Sequence, residues 1–565
     1  MASFPPPPDD LVSAWRRASR HFPHRGITLV DRRGRAVEKR SYPDLTTRFE
    51  LHARRLARRG VAPGDRVLVC LGTSWEWLDA WFGALFLGAL PVALAPPEGL
   101  GSPAGALERA EGVAKRLDAV LFVCGDSLAP LVRIEAFPAL QAIAVTPGEL
   151  AASEPAPASS PDRRATAPDS IAFLQLTSGS TGIPRAVCIP HRAAVHNPIA
   201  SAEALGRPHG APAWEWEDAH VLWLPLHHDM GLVGGILYSL LNGLDLYLAS
   251  PRAFLARPRV WLELLSAAGR SVSPAPNFAY QLCVDRIAED EHRGLDLGRV
   301  RAALLGAEMV RPETAASFAR AFAAAGLDAR AMRPCYGLAE ATLAVSFDSA
   351  GEGVRTAPVP DDGRGAGEPG EVVSVGVPVP DTEVRVTSPD GAPLGEDRVG
   401  EVLVLGPGVF AGYWNDDEAT RDTLTADGWL RTGDLGFLRG GELYLSGRTK
   451  DILIVRGQNL MPHELEWIVE EVAGGGGACR AGAFSVPRAS GEEPVVVVEV
   501  DGDAPSDLGG VEREIRDRVG RRLALVLADV AFVRRGKIPK TTSGKVQRRE
   551  LRARYLARQL ERLTP

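Results

Sequence analysis

Cysteine is scarce in this chain. Six occur among 565 residues, at positions 70, 124, 188, 283, 335 and 479, with no CxxC spacing and no nearby pair of histidines. Scattered cysteines of this kind argue against a structural zinc site and against a disulfide framework. We therefore expect a protein of the reducing cytoplasm.

Long apolar runs are also lacking. Residues 80–95 are the best membrane candidate, but they are few and contain Pro91, and residues 231–248 carry Asn242 and Asp245. A helix needs about 20 apolar residues to cross a bilayer. We predict that both segments are buried in a protein core, and we expect no integral membrane association.

The chain has no basic block or stripe. Asp and Glu outnumber Lys and Arg by 71 to 64, which gives a net charge of -7. Nucleic acid and anionic membrane are therefore disfavoured as partners. Because 45% of the residues are apolar over this length, the chain can bury several cores, and more than one domain is expected.

Two patterns of elements follow one another along the chain. Helical periodicity at residues 45–59 alternates with short apolar runs such as 66–71 and 119–124, a pattern typical of α/β sheets with crossover helices. After Val372 the pattern changes to short strands, 383–387, 400–405 and 442–446, which predict a β-rich subdomain.

The end of the chain has a character of its own. A helical pattern at 462–472, an apolar strand at 494–498 and a charged helix at 509–525 predict a small, mobile α+β domain. We expect an α/β protein with a large N-terminal domain, residues 1–446, that contains parallel-type α/β subdomains and the β-rich subdomain. The small C-terminal domain is predicted at 447–565.

The loop at residues 176–185 is rich in hydroxyls and glycines and ends in one cation. Glycines allow several backbone N–H groups to approach phosphate oxygens closely, although the GxxxxGK[ST] spacing of a Walker A loop is absent. On composition alone, a flexible Ser/Gly connector would be the better explanation. The order of the residues instead favours a phosphate loop formed by Thr177, Ser178, Gly179, Ser180, Thr181, Gly182 and Arg185.

This loop resembles the TSGTTGxPKG motif of the superfamily of AMP-forming acyl-CoA synthetases, peptide-synthetase adenylation domains and luciferases. The resemblance implies that the protein binds ATP. Arg185 and Ala186 stand where the superfamily usually has Lys and Gly. Arginine keeps the positive charge and can contact phosphate with two donors, but it is not equivalent to lysine.

Further matches follow in chain order. The segment 224–231, LPLHHDMG, resembles the motif that faces the substrate carboxylate, and it contains His228 and Asp229. The segment 336–340, YGLAE, resembles the YGxxE motif. The resemblance implies that the Tyr336 ring, beside Gly337, stacks on adenine and that Glu340 holds Mg²⁺, with the Thr177 hydroxyl as a second ligand. A third match, Gly306, Ala307 and Glu308, resembles the strand end on the adenine side.

The last matches lie near the predicted domain boundary and the C-terminus. GWLRTGD at 428–434 carries Asp434, which the resemblance assigns to the ribose hydroxyls. GRTKD at 447–451 resembles the interdomain hinge, with Arg448 near ribose or phosphate and Lys450 at the pivot. IPKTTSGK at 538–545 resembles the loop whose final lysine, Lys545, reaches the reacting carboxylate and the α-phosphate.

Each residue alone has an ordinary structural explanation. An isolated Glu or Asp is usually solvated, a Lys is usually at the surface, and a His beside another His is more often a satisfied core residue. Several matches in the right order favour a site instead. We predict Lys545, Glu340 and His228 as the catalytic residues, and we expect no general base because a carboxylic acid is already ionised at neutral pH.

Longer strings resemble one branch of the superfamily, the fatty acyl-AMP ligases that pass the acyl group to the phosphopantetheine of an acyl carrier protein. The strings lie at 251–255, 276–283, 334–343 and 454–459. The resemblance implies a fatty acid substrate. Phe278 and Tyr280, with His228 and Asp229, are candidates for the acyl pocket, although an ordinary core position explains the two aromatic residues at least as well.

The chain departs from this branch in one interval. The branch carries an insertion that hinders the rearrangement needed for transfer to CoA, whereas here only 36 positions separate Glu340 from Gly376. Free CoA therefore stays open as the acceptor, which would make the protein a fatty acyl-CoA ligase. A catalytically inactive nucleotide-binding homologue and a luciferase-like oxygenase are further alternatives.

Overall fold

The computed structural model describes residues 7–97, 103–133, 137–157, 167–177, 184–207, 219–348, 351–360, 371–455, 458–474, 480–488, 491–500, 507–523, 525–540 and 545–563. Within these ranges the α-helices are α1 (Leu11–His21), α2 (Tyr42–Arg58), α3 (Trp75–Leu87), α4 (Pro103–Leu117), α5 (Ala129–Val132), α6 (Pro138–Ile143), α7 (Pro147–Ala152), α8 (His191–Ala204), α9 (Asp229–Gly231), α10 (Tyr238–Asn242), α11 (Pro251–Ala256), α12 (Arg259–Ala268), α13 (Asn277–Arg286), α14 (Pro312–Ala321), α15 (Asp417–Thr423), α16 (Pro462–Gly474), α17 (Leu508–Leu523) and α18 (Arg548–Leu556). A π-helix at Leu232–Leu237 joins α9 to α10.

The strands of the same ranges are β1 (Gly26–Val30), β2 (Ala36–Ser41), β3 (Arg66–Cys70), β4 (Leu90–Ala93), β5 (Leu121–Cys124), β6 (Ala144–Val145), β7 (Ile171–Leu176), β8 (Ala186–Pro190), β9 (Ala219–Leu222), β10 (Asp245–Leu248), β11 (Ser271–Pro276), β12 (Val300–Gly306), β13 (Met332–Gly337), β14 (Ala344–Phe347), β15 (Thr356–Pro358), β16 (Glu371–Val373), β17 (Val377–Pro378), β18 (Glu383–Thr387), β19 (Gly400–Leu405), β20 (Leu430–Arg439), β21 (Glu442–Arg448), β22 (Leu453–Val455), β23 (Gln458–Leu460), β24 (Arg480–Arg488), β25 (Gly491–Val500), β26 (Asp529–Arg534) and β27 (Arg562–Leu563).

Two largely parallel sheets form the bulk of the large domain. One has the strand order β17-β14-β13-β12-β11-β9-β10-β1-β2, and the other has the order β6-β5-β3-β4-β7-β8. The inner strands of both sheets pair in parallel, so their carboxyl ends lie along shared edges. Ligands of open α/β sheets bind at such edges, which directs the search for a site there.

Local sequence explains where the elements begin. Helix α2 starts at Ser41, whose side chain caps the helix in a capping box with Asp44. Helix α3 starts at the capping Ser74 and ends at Gly88, which adopts the left-handed conformation that a helix end favours. Most side chains of α3 are buried, because this helix packs inside the large core.

The β-rich subdomain is an antiparallel sheet with the order β18-β19-β20-β21. The predicted strand 383–387 matches β18, and 400–405 matches β19, because turn-forming residues bracket both strands. Strand β21 extends to Arg448 and leads directly into a short 3-10 helix, Thr449–Asp451, at the start of the small domain.

The small C-terminal domain contains a four-stranded sheet, β24-β25-β26-β27, with α16, α17 and α18 packed on it. Valines on alternating faces of β25 enter two separate apolar clusters, one on each side of the sheet. The predicted fold class, a large α/β domain with a β-rich subdomain followed by a small α+β domain, is therefore confirmed. No helix among the described residues has the length and apolar character to cross a membrane.

The two domains are in contact. The Arg311 guanidinium, just before α14, lies 2.6 Å from the Glu470 carboxylate of α16 and over the ring of Trp467, 5.0 Å from its centre. At the junction, Gly447 packs so tightly against Met461 that an added Cβ would lie 2.3 Å from the sulfur. Gly447 also adopts a φ of 153°, which residues with side chains rarely adopt, so glycine is favoured where the chain passes from one domain to the other.

Candidate active site

A cavity of about 2060 Å³ opens where the carboxyl ends of the large domain's strands face the small domain. Its wall combines residues that are distant in the sequence. The predicted site residues that line it are Thr177, Arg185, His228, Asp229, Ala307, Glu308, Tyr336, Gly337, Glu340, Asp434, Arg448, Lys450 and Lys545. The fold thus brings most of the predicted site to one place.

The predicted phosphate loop is described only at its two ends. Ser178, Gly179, Ser180, Thr181 and Gly182 lie outside the described residues. The ends are joined by the antiparallel pair β7 and β8, and the Thr177 amide donates a 3.0 Å hydrogen bond to the Arg185 carbonyl. The described ends of the loop, Thr177 and Arg185, both line the cavity.

Arg185 is held by its neighbours in the large domain. Its Nε lies 3.5 Å from the Asp416 carboxylate, which also accepts a 2.8 Å bond from Arg116, and its guanidinium lies 5.4 Å from the centre of the Tyr413 ring. The sequence alone indicated Arg185 only as a substitute for lysine. The structure adds that this side chain has aromatic and acidic contacts of its own.

His228 and Asp229 are placed by a tight turn after β9. The His228 Nδ1 lies 2.6 Å from the Asp229 carboxylate, which also accepts a 2.7 Å hydrogen bond from the Met230 amide. Burial disfavours the charged form of Asp229, but the His228 imidazole and the hydrogen bonds to the carboxylate hold its pKa below the usual value. Gly231 allows the turn, because an added Cβ would lie 2.1 Å from the Pro225 carbonyl oxygen.

His227 also lines the cavity, although the sequence motifs assigned it no role. Burial lowers the pKa of His227 to about 3, with a further contribution from the neighbouring His228, so His227 is neutral at physiological pH. Its carbonyl accepts a 2.8 Å bond from Gln175 on β7. This bond ties the carboxylate-facing segment to the strand that precedes the phosphate loop.

Glu340 lies in a 3-10 turn directly after β13, at the cavity wall. The Tyr413 hydroxyl donates a 2.8 Å hydrogen bond to its carboxylate. Burial raises the pKa of Glu340, since removal of water disfavours the charged form. The sequence motifs did not indicate Tyr413, because its position 73 residues further along the chain carries no local signal of this contact.

Tyr336, Asp434 and Arg448 form a connected group. The Tyr336 hydroxyl donates to one oxygen of the buried Asp434 carboxylate, and Arg448 Nε donates to the other at 2.7 Å. Asp434 and Arg448 face each other in the register of β20 and β21, which explains their proximity. A hydroxyl donor and a guanidinium donor thus converge on one carboxylate.

The strand end at Gly306 has an unusual backbone. Ala307 adopts a φ of 70°, a left-handed conformation that is uncommon for residues other than glycine. The next residue, Glu308, accepts a 3.0 Å bond from the Phe278 amide. Gly306 is required by the close approach of Cys335, whose sulfur would lie 2.7 Å from an added Cβ. The turn thereby presents Glu308 to the cavity.

Lys545 comes from the small domain and enters the same cavity. Burial lowers the pKa of Lys545, and the nearby Arg448 adds to this effect. The carboxylates of Asp229, Asp434 and Glu308, which line the same cavity, act on this pKa in the opposite direction. A cation from one domain therefore lies in a field of carboxylates from the other.

Lys450 and the hinge segment complete the boundary of the cavity. Lys450 is exposed within the 3-10 turn at Thr449–Asp451. The neighbouring Asp451 accepts a 3.1 Å bond from Arg548, which also bonds to Glu466 of α16 at 2.6 Å. These ion pairs attach the turn to the small domain.

The two aromatic residues predicted for the acyl pocket are placed elsewhere. Tyr280 is fully buried, donates a 2.8 Å bond to the Leu304 carbonyl, and packs against Trp261 and Phe318. Neither Phe278 nor Tyr280 lines the cavity in the described part of the chain. The prediction is corrected in this respect, because Tyr280 belongs to the core and the partly buried Phe278 packs against that core. An apolar branch of the cavity is instead lined by Leu205, Val272, Leu304, Leu343, Ala344 and Phe347.

The residues present fit a magnesium ion that is held mainly by its nucleotide. Among the described residues, no group of three His, Cys, Asp or Glu side chains could enclose a metal. Burial raises the pKa of the Glu340 carboxyl, so a bound cation would stabilise its charged form. Mg²⁺ commonly binds through one or two carboxylates, phosphate oxygens and water, which matches this donor set.

Comparison with known proteins agrees with this geometry. Residues 15–414 match the AMP-binding enzyme family. The chain is 32% identical over 546 residues to a putative acyl-CoA synthetase of Caulobacter vibrioides, covering 94% of this chain and 93% of that protein. It is 32% identical over 560 residues to the medium-chain-fatty-acid acyl-carrier-protein ligase JamA of Moorena producens, covering 92% and 90%.

A solved structure is similar over nearly the whole length. It comes from structural and functional studies of fatty acyl-adenylate ligases from E. coli and L. pneumophila, with a TM-score of 0.86, 31% sequence identity and coverage of 99% of each chain. This chain therefore belongs to the AMP-binding enzyme family. It is a ligase that uses ATP, as the sequence motifs predicted.

Proposed function

We propose that this protein condenses a fatty acid with ATP to form an acyl-AMP and then transfers the acyl group to the phosphopantetheine thiol of an acyl carrier protein. One observation carries the proposal. Lys545 of the C-terminal domain lines the same cavity as Asp229, Glu308, Glu340 and Asp434 of the large domain. This arrangement supports domains at 1–446 and 447–565 that close on one nucleotide.

In the first step, a carboxylate oxygen attacks the α-phosphorus of ATP, the bond to the bridging oxygen of the β-phosphate breaks, and pyrophosphate leaves. Both reactants are anions, so positioning and charge neutralisation supply most of the catalysis. Lys545 is suited to bridge the attacking oxygen and the α-phosphate. His228, fixed by Asp229, is suited to orient the acid.

The nucleotide would be held by the remaining motif residues. Asp434 accepts hydrogen bonds, so the ribose hydroxyls can replace or join its present donors, Tyr336 and Arg448. Glu340 and the Thr177 hydroxyl would hold Mg²⁺, which supplies charge neutralisation at the phosphates. The phosphate loop with Arg185 would contact the departing pyrophosphate.

In the second step, a thiolate attacks the acyl carbonyl, the bond to the AMP oxygen breaks, and the thiol proton passes to solvent. Lys545 is not needed for this reaction, so rotation at Lys450 could withdraw it and admit the thiol arm. The short exposed turn at Thr449–Asp451 supports a pivot there, since few buried contacts hold its side chains.

The interval between Glu340 and Gly376 bears on the acceptor. It contains the hairpin of β15 and β16, whose attachment residue Arg355 lies 2.5 Å from Glu442 of β21 and 2.6 Å from Asp348. Residues 361–370 lie outside the described part. A hairpin fixed to the sheet that leads into the hinge would oppose the domain rearrangement needed for transfer to CoA, and it therefore supports a carrier protein as the acceptor.

Free CoA is the second candidate acceptor. It is favoured by the shortness of the same interval and by a relative that is named as a putative acyl-CoA synthetase. The decisive experiment incubates the purified protein with ATP, Mg²⁺ and linear acids of increasing length, and measures pyrophosphate release. CoA and a phosphopantetheinylated carrier protein are then added separately, and the thioester is measured by mass spectrometry.

We expect acid-dependent pyrophosphate release and thioester on the carrier protein. Thioester on CoA alone would replace the first candidate with the second. No pyrophosphate release, and no acid-dependent exchange of labelled pyrophosphate into ATP, would contradict the proposed function and leave an inactive nucleotide-binding homologue. Light emission or oxygen uptake would instead indicate a luciferase-like oxygenase.

A further inference from the structure

The apolar branch of the cavity runs under the nine-stranded sheet, between its strands and helix α8. Leu205, Val272, Leu304, Ala344 and Phe347 belong to a single apolar cluster and line this branch. Val272 lies near the amino end of β11, and Pro276 lies at its carboxyl end. Four residues at about 3.3 Å each give the branch a depth of roughly 13 Å.

A polar residue lies at the inner end of this apolar branch. His220 pairs with Val272 in the parallel register of β9 and β11, is 1% exposed, and is among the residues that line the cavity. The ring of Tyr238 meets it edge-on with the centres 5.2 Å apart. A histidine at the closed end of an apolar channel needs an explanation, because burial of a polar group without a partner is costly.

The hydrogen bonds determine which nitrogen of His220 carries the proton. The Ser239 hydroxyl donates to the Gly235 carbonyl at 2.9 Å, so its single proton is committed. The same oxygen lies 3.2 Å from His220 Nδ1 and can only accept there, which assigns the proton to Nδ1. Burial lowers the pKa of His220 to about 3, against a weaker effect of the Gly235 carbonyl, so the ring is neutral and its Nε2 is a bare acceptor.

No neighbouring group satisfies this acceptor. His220 Nε2 is buried and has no hydrogen-bond partner among the described residues. Ser201 of helix α8, whose hydroxyl also lines the branch, donates its proton to the Asn197 carbonyl at 2.7 Å. Among the described residues, His220 Nε2 is therefore a buried acceptor without a donor, and the protons of Ser201 and Ser239 are already used.

We propose that the acid substrate carries a hydroxyl at the far end of its chain and donates it to His220 Nε2. The depth of the branch corresponds to roughly ten carbon–carbon bonds, because bonds of about 1.5 Å advance an extended chain by roughly 1.25 Å each. The substrate class is thus a medium-length acid hydroxylated at or near its distal carbon. This inference rests on the proposed adenylation of an acid.

The test compares three acids that match in length. They are 10-hydroxydecanoic acid, 9-methoxynonanoic acid, which accepts but cannot donate, and undecanoic acid, in which a methyl replaces the hydroxyl. Pyrophosphate release gives kcat/KM for each acid with the wild-type protein. We expect the hydroxy acid to be preferred about tenfold or more over both others, because a site that binds a substrate hydroxyl rejects analogues without it.

Two variants locate the effect. In His220→Leu the preference should reverse in favour of undecanoic acid, whereas His52→Leu, which removes another buried histidine outside the branch, should leave the wild-type preference unchanged. Should His220→Leu fail to fold, the comparison of hydroxy with methoxy acid in the wild-type protein still decides the question.

The possible results distinguish a failure of the His220 assignment from a failure of the proposed adenylation activity. Release of pyrophosphate with all acids but without preference for the hydroxy acid at any chain length would overturn the assignment of His220, and would indicate that water satisfies Nε2. An equal loss of preference in both variants would also overturn it. Absence of pyrophosphate release with every acid would overturn the proposed adenylation itself.

Discussion

The two ends of the cavity are stabilised in different ways. At the nucleotide end, Asp434 accepts from Tyr336 and Arg448, and Lys545 arrives from the other domain. The acyl branch is formed by apolar side chains of one domain, with His220 as its unsatisfied acceptor. Charged pairs at the first end make it sensitive to single polar substitutions and to domain position. Acid binding in the acyl branch should instead depend on the volume of the side chains that line it and on the hydrogen bond to His220.

The largest effect is expected from removal of Lys545, the cation that the small domain contributes to the cavity of the large domain. Lys545→Ala should lower the rate of acyl-AMP formation by about 100- to 1000-fold, because loss of such a donor typically costs roughly 3 to 4 kcal/mol of barrier. ATP binding should be nearly unchanged in calorimetry. Lys537→Ala, which removes an exposed lysine of the same domain, is the control. Acyl-AMP formation at the wild-type rate would refute the role of Lys545.

The second largest effect is expected at Asp434, the residue proposed to bind the ribose hydroxyls. Asp434→Asn keeps the shape but removes the charge that pairs with Arg448, and we expect kcat/KM for ATP to fall about 10- to 100-fold, since a hydrogen bond to a charged group contributes about 1.5 to 3 kcal/mol. Steady-state kinetics at saturating acid measures this. The order of preference among acids should stay constant, and a changed order would contradict the separation of the two ends.

A substitution that narrows the acyl branch should affect the choice of acid without affecting the nucleotide end. Leu304→Phe narrows the branch, so kcat/KM for the longest accepted acid should fall about tenfold, as expected for the loss of one or two methylenes of space. The shortest acids and the KM for ATP should be unaffected. Leu304→Ile, which keeps the volume, is the matched control. A uniform loss for all acids would place Leu304 outside the acyl path.

Closure of the domains should depend on the pair between Arg311 and Glu470. Glu470→Gln is expected to slow acyl-AMP formation by about fivefold to tenfold, because the partly buried ion pair that joins the two domains is lost. Burial raises the pKa of Glu470, so the wild-type advantage should shrink as the pH falls through that raised pKa. Stopped-flow measurements over a range of acidic to mildly basic pH test both statements. If the rate of the wild type relative to Glu470→Gln increased as the pH fell, the ion pair would not be the cause of the effect.

The smallest effect concerns stability. Because burial raises the pKa of Glu340 in the folded state, its ionisation destabilises the nucleotide-free protein as the pH rises through that pKa. Glu340→Gln should therefore have a larger free energy of unfolding than the wild type in mildly basic buffer. In acidic buffer, where Glu340 is protonated in both states, the two proteins should be equally stable. Thermal unfolding in the two buffers measures the difference, and equal stability in both would contradict the buried charge.

Much of the fold could be predicted from local sequence. Strand β18 matches its prediction at both ends, and α2 begins at a capping box that local residues encode. The element boundaries that differ between prediction and structure are those where the local sequence carries no capping or turn residue. The predicted strand 442–446 continues to Arg448, because pairing with β20 extends it. Local propensity decides an element, whereas partners decide how far it extends.

The candidate site divides in the same way. Motif order alone pointed to Asp434, Glu340 and Lys545, because the loops after strands carry recognisable residues. Tyr413, which donates to Glu340, and His227, which is tied to β7, had no such signal. Phe278 and Tyr280 were candidates for the acyl pocket because their segment resembles the fatty acyl-AMP ligases, but Tyr280 lies in the core and Phe278 packs against it.

By itself, the sequence determined the alternation of elements, the family motifs and the order in which they occur, since these depend on neighbours within a few positions. Only the tertiary structure decided which side chains meet across the sheets and between the domains. His220 illustrates the reason. Its role depends on Ser239, Gly235 and Val272 lying around it, and such contacts follow from strand register and packing rather than from any spacing along the chain.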